Sequence, residues 1–340
     1  MNSTTTITFD KVTKAYAGAS HPAVDAVSFE VSGGTDSSSI CMLLGTSGSG
    51  KTTLLRMVNR LIEPTSGRIL IDEQNILKEN PILLRRRIGY VIQQAGLFPH
   101  MNIAENIRIT ADIAGWSRQR MTQRVDELLT LVGLEPDEYR RRFPRQLSGG
   151  QQQRVGLARA LATDPDILLM DEPFGALDAI TRERMQEELL RIRRTMRKTI
   201  LFVTHDVEEA FRLGDRIAVL SEGKLIQLGT PIDLLANPAN EFVRKLVGSD
   251  NMLRQLQYLP VTTALDREPV QSATANIPTV QASATLLQAM LVLIETNSHE
   301  LAVHDDNTGE QLGYITLTSI NREISRFRRA EAEQEEATRI

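Results

Sequence analysis

A glycine-rich loop gives the clearest chemical signal in the chain. The sequence GTSGSGKTT, residues 45–53, fits the pattern G-x-x-x-x-G-K-[ST]. Glycines let the backbone take positive φ and turn several N–H groups towards one point, and the helix that follows adds its dipole to this anion site. Lys51 can bridge two phosphates of a nucleotide, and the Thr52 hydroxyl can ligate Mg²⁺. The predicted phosphate contacts are all nine residues: Gly45, Thr46, Ser47, Gly48, Ser49, Gly50, Lys51, Thr52 and Thr53.

Two adjacent carboxylates follow a short apolar run in ILLMDEP, residues 167–173. Ligands in open parallel sheets collect at the carboxyl ends of the strands, so Asp171 is predicted to reach the same Mg²⁺ as Thr52. Glu172, one residue later, points elsewhere and is predicted to be the general base that polarises a water for attack on the terminal phosphate. Phosphoryl transfer needs mainly positioning and charge neutralisation, so one carboxylate on the metal and one on the water are sufficient.

A second candidate anion site lies in LSGGQQQR, residues 147–154, where a serine and two glycines directly precede a predicted helix. A hydroxyl and helix N-terminal amides can bind a phosphate, although a serine at this place is also a plain helix cap, and both interpretations can be true together. One phosphate loop with two phosphate sites suggests a composite site, whose second half serves the nucleotide of another copy of the chain. The predicted nucleotide contacts here are Ser148, Gly149, Gly150 and Gln151.

The elements that must position these residues alternate between apolar strands and helices. A short all-apolar run, residues 40–44, precedes the phosphate loop, as expected of a strand buried on both faces. Further apolar runs at 167–170 and 199–204 are separated by helical stretches, which predicts an α/β fold with a parallel sheet and helices on its faces. Residues before position 31 alternate apolar and polar, which predicts half-buried strands, and residues 102–139 are predicted to be helical.

In this order and spacing, the phosphate loop, LSGGQQQR and ILLMDEP resemble the nucleotide-binding domain of an ABC transporter over residues 7–247. The resemblance implies a RecA-like P-loop NTPase core with an antiparallel β flank and a helical subdomain near 95–145, within a domain spanning residues 1–248. It also implies ATP as the nucleotide, Mg²⁺ as the cofactor, and two copies of the chain that enclose two ATP molecules.

The family pattern implies roles for further residues. Tyr16 matches the aromatic residue that stacks on adenine, Asp178 in GALD matches the D-loop aspartate, and His205 in FVTHD matches the switch histidine that contacts the γ-phosphate. Gln93 matches the Q-loop glutamine that touches Mg²⁺ and couples to the membrane subunit; the adjacent Gln94 is the alternative, since the choice rests on alignment alone. The implied catalytic residues are Glu172, His205, Lys51 and Gln93, and the implied metal ligands are Thr52, Gln93 and Asp171.

Three longer segments are similar to the importer branch for glycine betaine and related osmoprotectants: RMVNRLIEPTSG, YVIQQAGLFPHMNI and EPFGALDAITR. This similarity implies an ATPase on the cytoplasmic face of the inner (plasma) membrane that powers uptake of a quaternary amine such as glycine betaine, proline betaine or choline. The implied partners are an integral-membrane permease and an extracytoplasmic substrate-binding protein. The alternatives are an importer ATPase for an amino acid or polyamine, a soluble non-transport ABC ATPase, and a regulatory module that senses adenine nucleotide.

The last part of the chain has a different pattern. After a predicted linker at 249–276, residues 277–322 are similar to one cystathionine-β-synthase-type (CBS) repeat, with the order strand, helix, hairpin and helix. Such modules normally need two repeats, so either a degenerate half at 252–267 or pairing of two chains is expected, and a simple dimerisation appendage is the alternative. The charged tail, 323–340, has a basic cluster followed by acids, which suggests an ionic-strength sensor on anionic lipid or a solvated helix end.

Composition narrows the classes of partner. The net charge is −4 and aromatic residues make up 4% of the chain, so neither a basic surface nor base stacking indicates binding to nucleic acid. The single cysteine, Cys41, excludes an internal disulfide. The start, MNSTTTITFDKV, has no basic region and no apolar stretch, so we expect no secretory signal, and we find no apolar stretch long enough to cross a bilayer.

Overall fold

The structure is a computed structural model that describes residues 5–33, 38–249, 251–267 and 277–325. Two compact units divide the chain, Met1–Leu228 and Gly229–Ile340. The division falls before the predicted boundary at 248, because Ile232 already packs against the apolar core of the second unit. No helix within the described ranges has both the length and the apolarity that a membrane span requires.

The first unit contains two sheets and the helices around them. Its strands are β1 (Thr6–Lys14), β2 (Val24–Ser32), β3 (Ser39–Gly45), β4 (Ser66–Ile71), β5 (Gln74–Asn75), β6 (Ile88–Val91), β7 (Ile167–Asp171), β8 (Thr199–Thr204), β9 (Arg216–Ser221) and β10 (Lys224–Gly229). Its helices are α1 (Lys51–Val58), α2 (Pro81–Arg86), α3 (Ile103–Ile113), α4 (Arg118–Leu131), α5 (Pro136–Tyr139), α6 (Gly149–Ala160), α7 (Ala179–Thr195) and α8 (Val207–Leu213).

The central sheet has the strand order β10-β9-β3-β8-β7-β6. β3 pairs in parallel with both β8 and β9, and β7 pairs in parallel with both β8 and β6. Every residue of β7 and β8 is buried, as expected of strands covered by helices on both faces. The predicted α/β fold with a parallel sheet is therefore confirmed. The strand order also brings the carboxyl ends of β3, β8, β7 and β6 side by side at one edge.

An antiparallel sheet flanks this core, with the order β2-β1-β4-β5. Buried and more exposed residues alternate along β2, which matches the predicted half-buried strand. Phe9 of β1 stacks on Phe29 of β2 with ring centroids 4.5 Å apart. The predicted helical stretch contains α3, α4 and α5, and α3 begins with a capping box in which Asn102 and Glu105 bond each other's backbone N–H.

The second unit contains α9 (Pro231–Ala236), α10 (Glu241–Val247), α11 (Met252–Tyr258), β11 (Thr279–Gln281), α12 (Leu286–Glu295), β12 (Glu300–His304), β13 (Gln311–Thr316) and a helix over residues 317–325. From β11 onward the elements follow the predicted order of strand, helix, hairpin and helix. Their sheet has the strand order β11-β12-β13. The identity as a CBS-like repeat stays a prediction.

Part of the predicted linker is structured. α11 lies within 249–276, and Leu256 and Leu259 belong to the apolar core of the second unit. Burial of these leucines gives the segment a packed face, which a free linker does not have. Residues 268–276 of that linker, and most of the predicted charged tail, residues 326–340, lie outside the described residues.

Candidate active site

The phosphate loop joins the end of β3 to the start of α1. Gly50 is the N-cap residue of α1, with φ of 95° and no side-chain cap. A Cβ on Gly50 would lie 2.3 Å from the carbonyl oxygen of Ala23, so both the backbone conformation and the space require glycine. Because no side chain caps α1, its first-turn N–H groups remain available to an anion at the loop.

Lys51 is held against the loop that precedes it. Its Nζ donates to the carbonyl oxygens of Gly45 and Thr46, each at 2.8 Å, and to Ser49 Oγ at 3.3 Å. Only 5% of the residue is exposed. Burial lowers the pKa of Lys51, while the charges of Glu172 and Asp171 act in the opposite direction. The two carboxylates that the sequence predicts as its functional partners are therefore near enough to affect this ammonium.

Thr52 and Asp171 are in direct contact. The Thr52 hydroxyl donates to Asp171 Oδ1 at 2.8 Å, and Asp171 is 8% exposed. A hydroxyl and a carboxylate oxygen are the hard ligands that Mg²⁺ prefers, with further positions taken by water and substrate oxygens. Among the described residues, no group of three or more His, Cys, Asp or Glu side chains is placed to hold a metal ion by itself. This donor pair therefore fits a cation shared with phosphates.

Glu172 turns away from Asp171 through its backbone. Its φ is 46°, in the left-handed region that non-glycine residues rarely adopt, and its N–H donates to Val203 O of β8 at 3.1 Å. Its carboxylate Oε2 lies 3.2 Å from Nδ1 of His205, the residue after β8. A Cβ on Gly175 would lie 3.2 Å from the Gln93 amide nitrogen and 3.6 Å from Glu172 Oε2. The side chains of Gln93 and Glu172 thus both approach Gly175, and His205 contacts the same Glu172 carboxylate.

Another predicted group lies at the starts of α6 and α7. Ser148 and Gln151 form a reciprocal cap, with Gln151 N–H donating to Ser148 Oγ at 3.3 Å and Ser148 N–H donating to Gln151 Oε1 at 2.9 Å. Asp178 caps α7 by accepting from Thr181 N–H at 3.0 Å, and hydrogen bonds of this kind lower its pKa. Within the described ranges, no hydrogen bond or ion pair links Ser148 or Asp178 to the phosphate loop. Their place in a nucleotide site stays a prediction that needs a second copy.

Comparison with known proteins identifies the family. The ABC transporter family matches residues 25–175. The glycine betaine/carnitine/choline transport ATP-binding protein OpuCA of Bacillus subtilis is 45% identical over 92% of this chain and 78% of its own length. The osmoprotectant import ATP-binding protein OsmV of Salmonella typhimurium is 45% identical over 86% of this chain and 74% of its own length. The chain belongs to the ABC transporter ATP-binding protein family. This membership confirms the predicted resemblance.

A solved structure agrees with the family. The dimeric, post-hydrolysis ATP-binding cassette MJ0796 bound to ADP and Pi has a TM-score of 0.57 and 32% identity, covering 66% of this chain and 98% of that chain.

Tyr16 of the present chain follows β1 and is 44% exposed, with Lys14 Nζ 5.3 Å from its ring centroid. Its exposed ring face is compatible with stacking on a base, and its role stays a prediction.

Two residues beside Asp171 escaped the sequence analysis. The Tyr90 hydroxyl donates to Asp171 Oδ2 at 3.3 Å, and Arg56 lies 3.8 Å from the same oxygen. Burial raises the pKa of Tyr90, and the charge of Asp171 raises it further. Each residue begins a segment that resembles the importer branch, Arg56 in RMVNRLIEPTSG and Tyr90 in YVIQQAGLFPHMNI, but the resemblance implies no chemical role for either. The local sign is closeness in sequence to predicted site residues, because Arg56 lies four residues after Thr52 and Tyr90 three residues before Gln93.

Proposed function

We propose that this ABC transporter ATP-binding protein binds MgATP at residues 45–53 and hydrolyses it to power import of a quaternary amine or related osmoprotectant. Two contacts support the proposal: the Thr52 hydroxyl donates to the Asp171 carboxylate, and the Glu172 carboxylate contacts the His205 imidazole. All four residues lie at the carboxyl ends of β3, β7 and β8, which are adjacent in the sheet. One nucleotide at the phosphate loop therefore has metal ligands and a base within reach.

The chemistry follows from these side chains. The N–H groups of the loop and the Lys51 ammonium receive the β- and γ-phosphates. A bound Mg²⁺ supplies charge neutralisation on the phosphate oxygens, and Thr52, Asp171 and Gln93 would hold it. Glu172 accepts the proton of the attacking water. His205 orients the Glu172 carboxylate through its ring nitrogen Nδ1. The other ring nitrogen of His205, Nε2, is then available to contact the γ-phosphate.

A second copy of the chain completes each nucleotide site in this proposal. The helix α6 begins at Gly149 with Ser148 at its N-cap, and such a terminus binds anions. Asp178, at the start of α7, carries a negative charge and joins the same interface. Two copies would enclose two ATP molecules, each between the loop of one copy and Ser148–Gln151 of its partner. A relative of known structure is dimeric, which supports this arrangement.

The permease is proposed to dock in a groove of about 320 Å³ between α2, β6, α3 and α6. Ile82 of α2 and Ile113 of α3 both line this groove and are 60% and 68% exposed, which gives it an apolar rim. β6 leads from this groove directly to Gln93, so a partner bound in the groove would contact the strand that connects to the nucleotide site. Through the permease the protein would be held peripherally at the cytoplasmic face of the membrane, and an extracytoplasmic substrate-binding protein would deliver the solute.

The decisive experiment replaces Glu172 with Gln in the purified chain. We expect kcat for MgATP to fall by at least about 100-fold, because the base is lost, while the Kd for ATP changes little. Glu222→Gln is the matched control, since Glu222 is also a glutamate with left-handed φ, at 48°, but stands in the β9–β10 turn. Full turnover by Glu172→Gln would remove Glu172 from the base role.

The solute requires the assembled transporter. Reconstituted with its permease and binding protein, the wild-type chain should support ATP-dependent uptake of labelled glycine betaine or choline, and the Glu172→Gln variant should not. Uptake of an amino acid or polyamine instead would keep the ATPase proposal and replace the solute. Failure to copurify with any membrane protein would contradict the transport role itself.

A further inference from the structure

A buried polar pair joins α7 to α8 behind the proposed catalytic residues. Glu209 on α8 and Gln186 on α7 are 5% and 6% exposed. Gln186 Nε2 donates to Glu209 Oε1 at 3.2 Å, and the Thr204 hydroxyl also bonds the Glu209 carboxylate. Burial raises the pKa of Glu209, while these two hydrogen bonds act in the opposite direction. A buried acid carries a desolvation penalty that an apolar residue would not have, so its presence here calls for a function.

The contacts of Glu209 converge on the two neighbours of His205. Thr204, directly before His205, bonds the Glu209 carboxylate through its hydroxyl and accepts the Asp206 N–H at 3.0 Å. Asp206, directly after His205, accepts the N–H of Glu209 through Oδ1 at 3.2 Å. The backbone on both sides of His205 is therefore fixed by one closed set of bonds. His205 itself has a 62% exposed side chain, so packing alone does not orient it.

The helix α7 links the segment around His205 to the start of α6. Arg182 Nη1 lies 3.6 Å from Asp206 Oδ2, which gives a second contact between α7 and the segment around His205. The same helix starts at the Asp178 cap, and a Cβ on Gly150 would lie 2.5 Å from the methyl group of Thr181. α7 thus contacts the LSGGQ helix at one end and the histidine segment along its side.

We propose that Glu209 is a positioning residue that, through Thr204 and with Gln186, holds His205 in the orientation that contacts Glu172. The inference rests on the proposed catalytic roles of His205 and Glu172. Glu209 is not one of the residues proposed to touch the nucleotide. Its loss should therefore disturb turnover and leave nucleotide binding in place, because the phosphate loop is made by β3 and α1.

The test compares ATP hydrolysis by full-length variants. Glu209→Leu removes the acceptor and should lower kcat by about 10- to 100-fold, the size expected for a misplaced catalytic group, with KM for MgATP within about threefold of wild type. Glu209→Gln keeps an acceptor oxygen of the same reach and should restore kcat to within about threefold of wild type. Rescue by the amide separates a hydrogen-bond role from simple filling of space.

A matched control addresses stability. Glu300 on β12 is also a glutamate with 5% exposure, but it belongs to the second unit. Glu300→Leu should leave kcat at the wild-type value even if its melting temperature changes. An equal loss of kcat in Glu300→Leu, or an equal loss in Glu209→Gln and Glu209→Leu, would overturn the proposal.

A second variant decides the matter if Glu209→Leu does not fold. Thr204→Val keeps the β-branched shape in β8 and removes the hydroxyl, so it should lower kcat in the same way at constant KM. Combined in one chain, Thr204→Val and Glu209→Leu should lower kcat by less than the product of their separate effects, since the Thr204–Glu209 contact is lost in both. A wild-type kcat in Thr204→Val would overturn the proposal.

The proposed function fails in a different way. Absence of ATP hydrolysis by the wild-type chain, or full ATP hydrolysis by Glu172→Gln, would contradict it.

Discussion

The hydroxyl of Thr52 donates a 2.8 Å hydrogen bond to Asp171, across 119 positions of sequence. Thr52 lies in the first turn of α1, after β3, and Asp171 ends β7, with β8 between these two strands in the sheet. No local feature of the sequence brings the two together. The contact exists because the carboxyl ends of parallel strands meet at one edge, and it makes the two side chains testable as a pair.

Asp171→Asn should raise the Mg²⁺ concentration for half-maximal ATP hydrolysis by at least about 10-fold, because a charged ligand is lost. Thr52→Val should shift it in the same direction. The measurement is ATPase rate against free Mg²⁺ at saturating ATP. Asp166→Asn is the control, since Asp166 directly precedes the opposite end of β7 and lies 3.5 Å from Arg87. An unchanged Mg²⁺ requirement in Asp171→Asn would exclude this carboxylate as a ligand.

Gly50→Ala should abolish tight ATP binding. Its left-handed backbone costs a side chain about 1–2 kcal/mol, and the added Cβ would also lie 2.3 Å from Ala23 O. Gly18→Ala is the matched control, because Gly18 has φ of 81° with nothing within 4 Å of its Cβ position. Titration with ATP and thermal melting separate the two effects: both variants should lose stability, and only Gly50→Ala should lose affinity. Normal affinity in Gly50→Ala would contradict the loop geometry.

The parts of the site that can be predicted from the sequence are those formed by residues that are contiguous in the chain. The loop at 45–53 and the pair Asp171–Glu172 follow from residue types and from the short apolar strands before them. The parallel sheet followed from apolar runs separated by helices. The order of the strands in the sheet cannot be predicted from the sequence, because pairing of β3 with both β8 and β9 depends on packing between distant segments.

The parts that sequence missed depend on tertiary packing. Tyr90 approaches Asp171 only because β6 pairs with β7, and a tyrosine in a short strand carries no local mark of that contact. The predicted linker contains the helix α11, which Asn251 caps and whose Leu256 packs in the core of the second unit. The Gln93 amide nitrogen lies 3.2 Å from the position of a Cβ on Gly175, a tertiary contact that the sequence does not show, and its choice over Gln94 stays a prediction.

Cys41 should be inert to alkylation in the native protein. Burial raises the pKa of its thiol from 9.0 to about 12, so the reactive thiolate is suppressed. The unfolded chain ionises at lower pH than the folded one, so this group leaves stability unchanged below about pH 9 and reduces it as pH rises from 9 towards 12. Intact mass after iodoacetamide treatment at pH 8 should show no adduct without denaturant and one adduct with it.

The chain has one cysteine, so that adduct has a single possible origin. Cys41→Ala should show no adduct in either condition, and its alkaline stability loss should be smaller than that of wild type. Rapid labelling of the native wild type would contradict the burial of β3 between β8 and β9.

Ser148→Asp should separate helix capping from nucleotide binding across the proposed dimer. Aspartate caps a helix as well as serine does, so α6 should keep its stability, but its charge would repel the phosphates of the partner's ATP. In the Glu172→Gln background with MgATP, where hydrolysis is blocked, the chain should elute as a dimer. Adding Ser148→Asp should leave it monomeric, while Ser148→Ala should mainly lower the free energy of unfolding, by about 1 kcal/mol.

Ser117 supplies the matched control, because it also caps a helix, α4, by accepting from Arg120 N–H. Ser117→Asp in the same background should dimerise with ATP as the parent does, so a monomeric Ser148→Asp variant would reflect the position of the charge rather than its presence. Chromatography with light scattering, with and without nucleotide, makes the comparison. If Ser148→Asp dimerises like Ser117→Asp, the start of α6 does not face a partner's phosphate, and the shared-site arrangement is wrong even if hydrolysis by a single chain is intact.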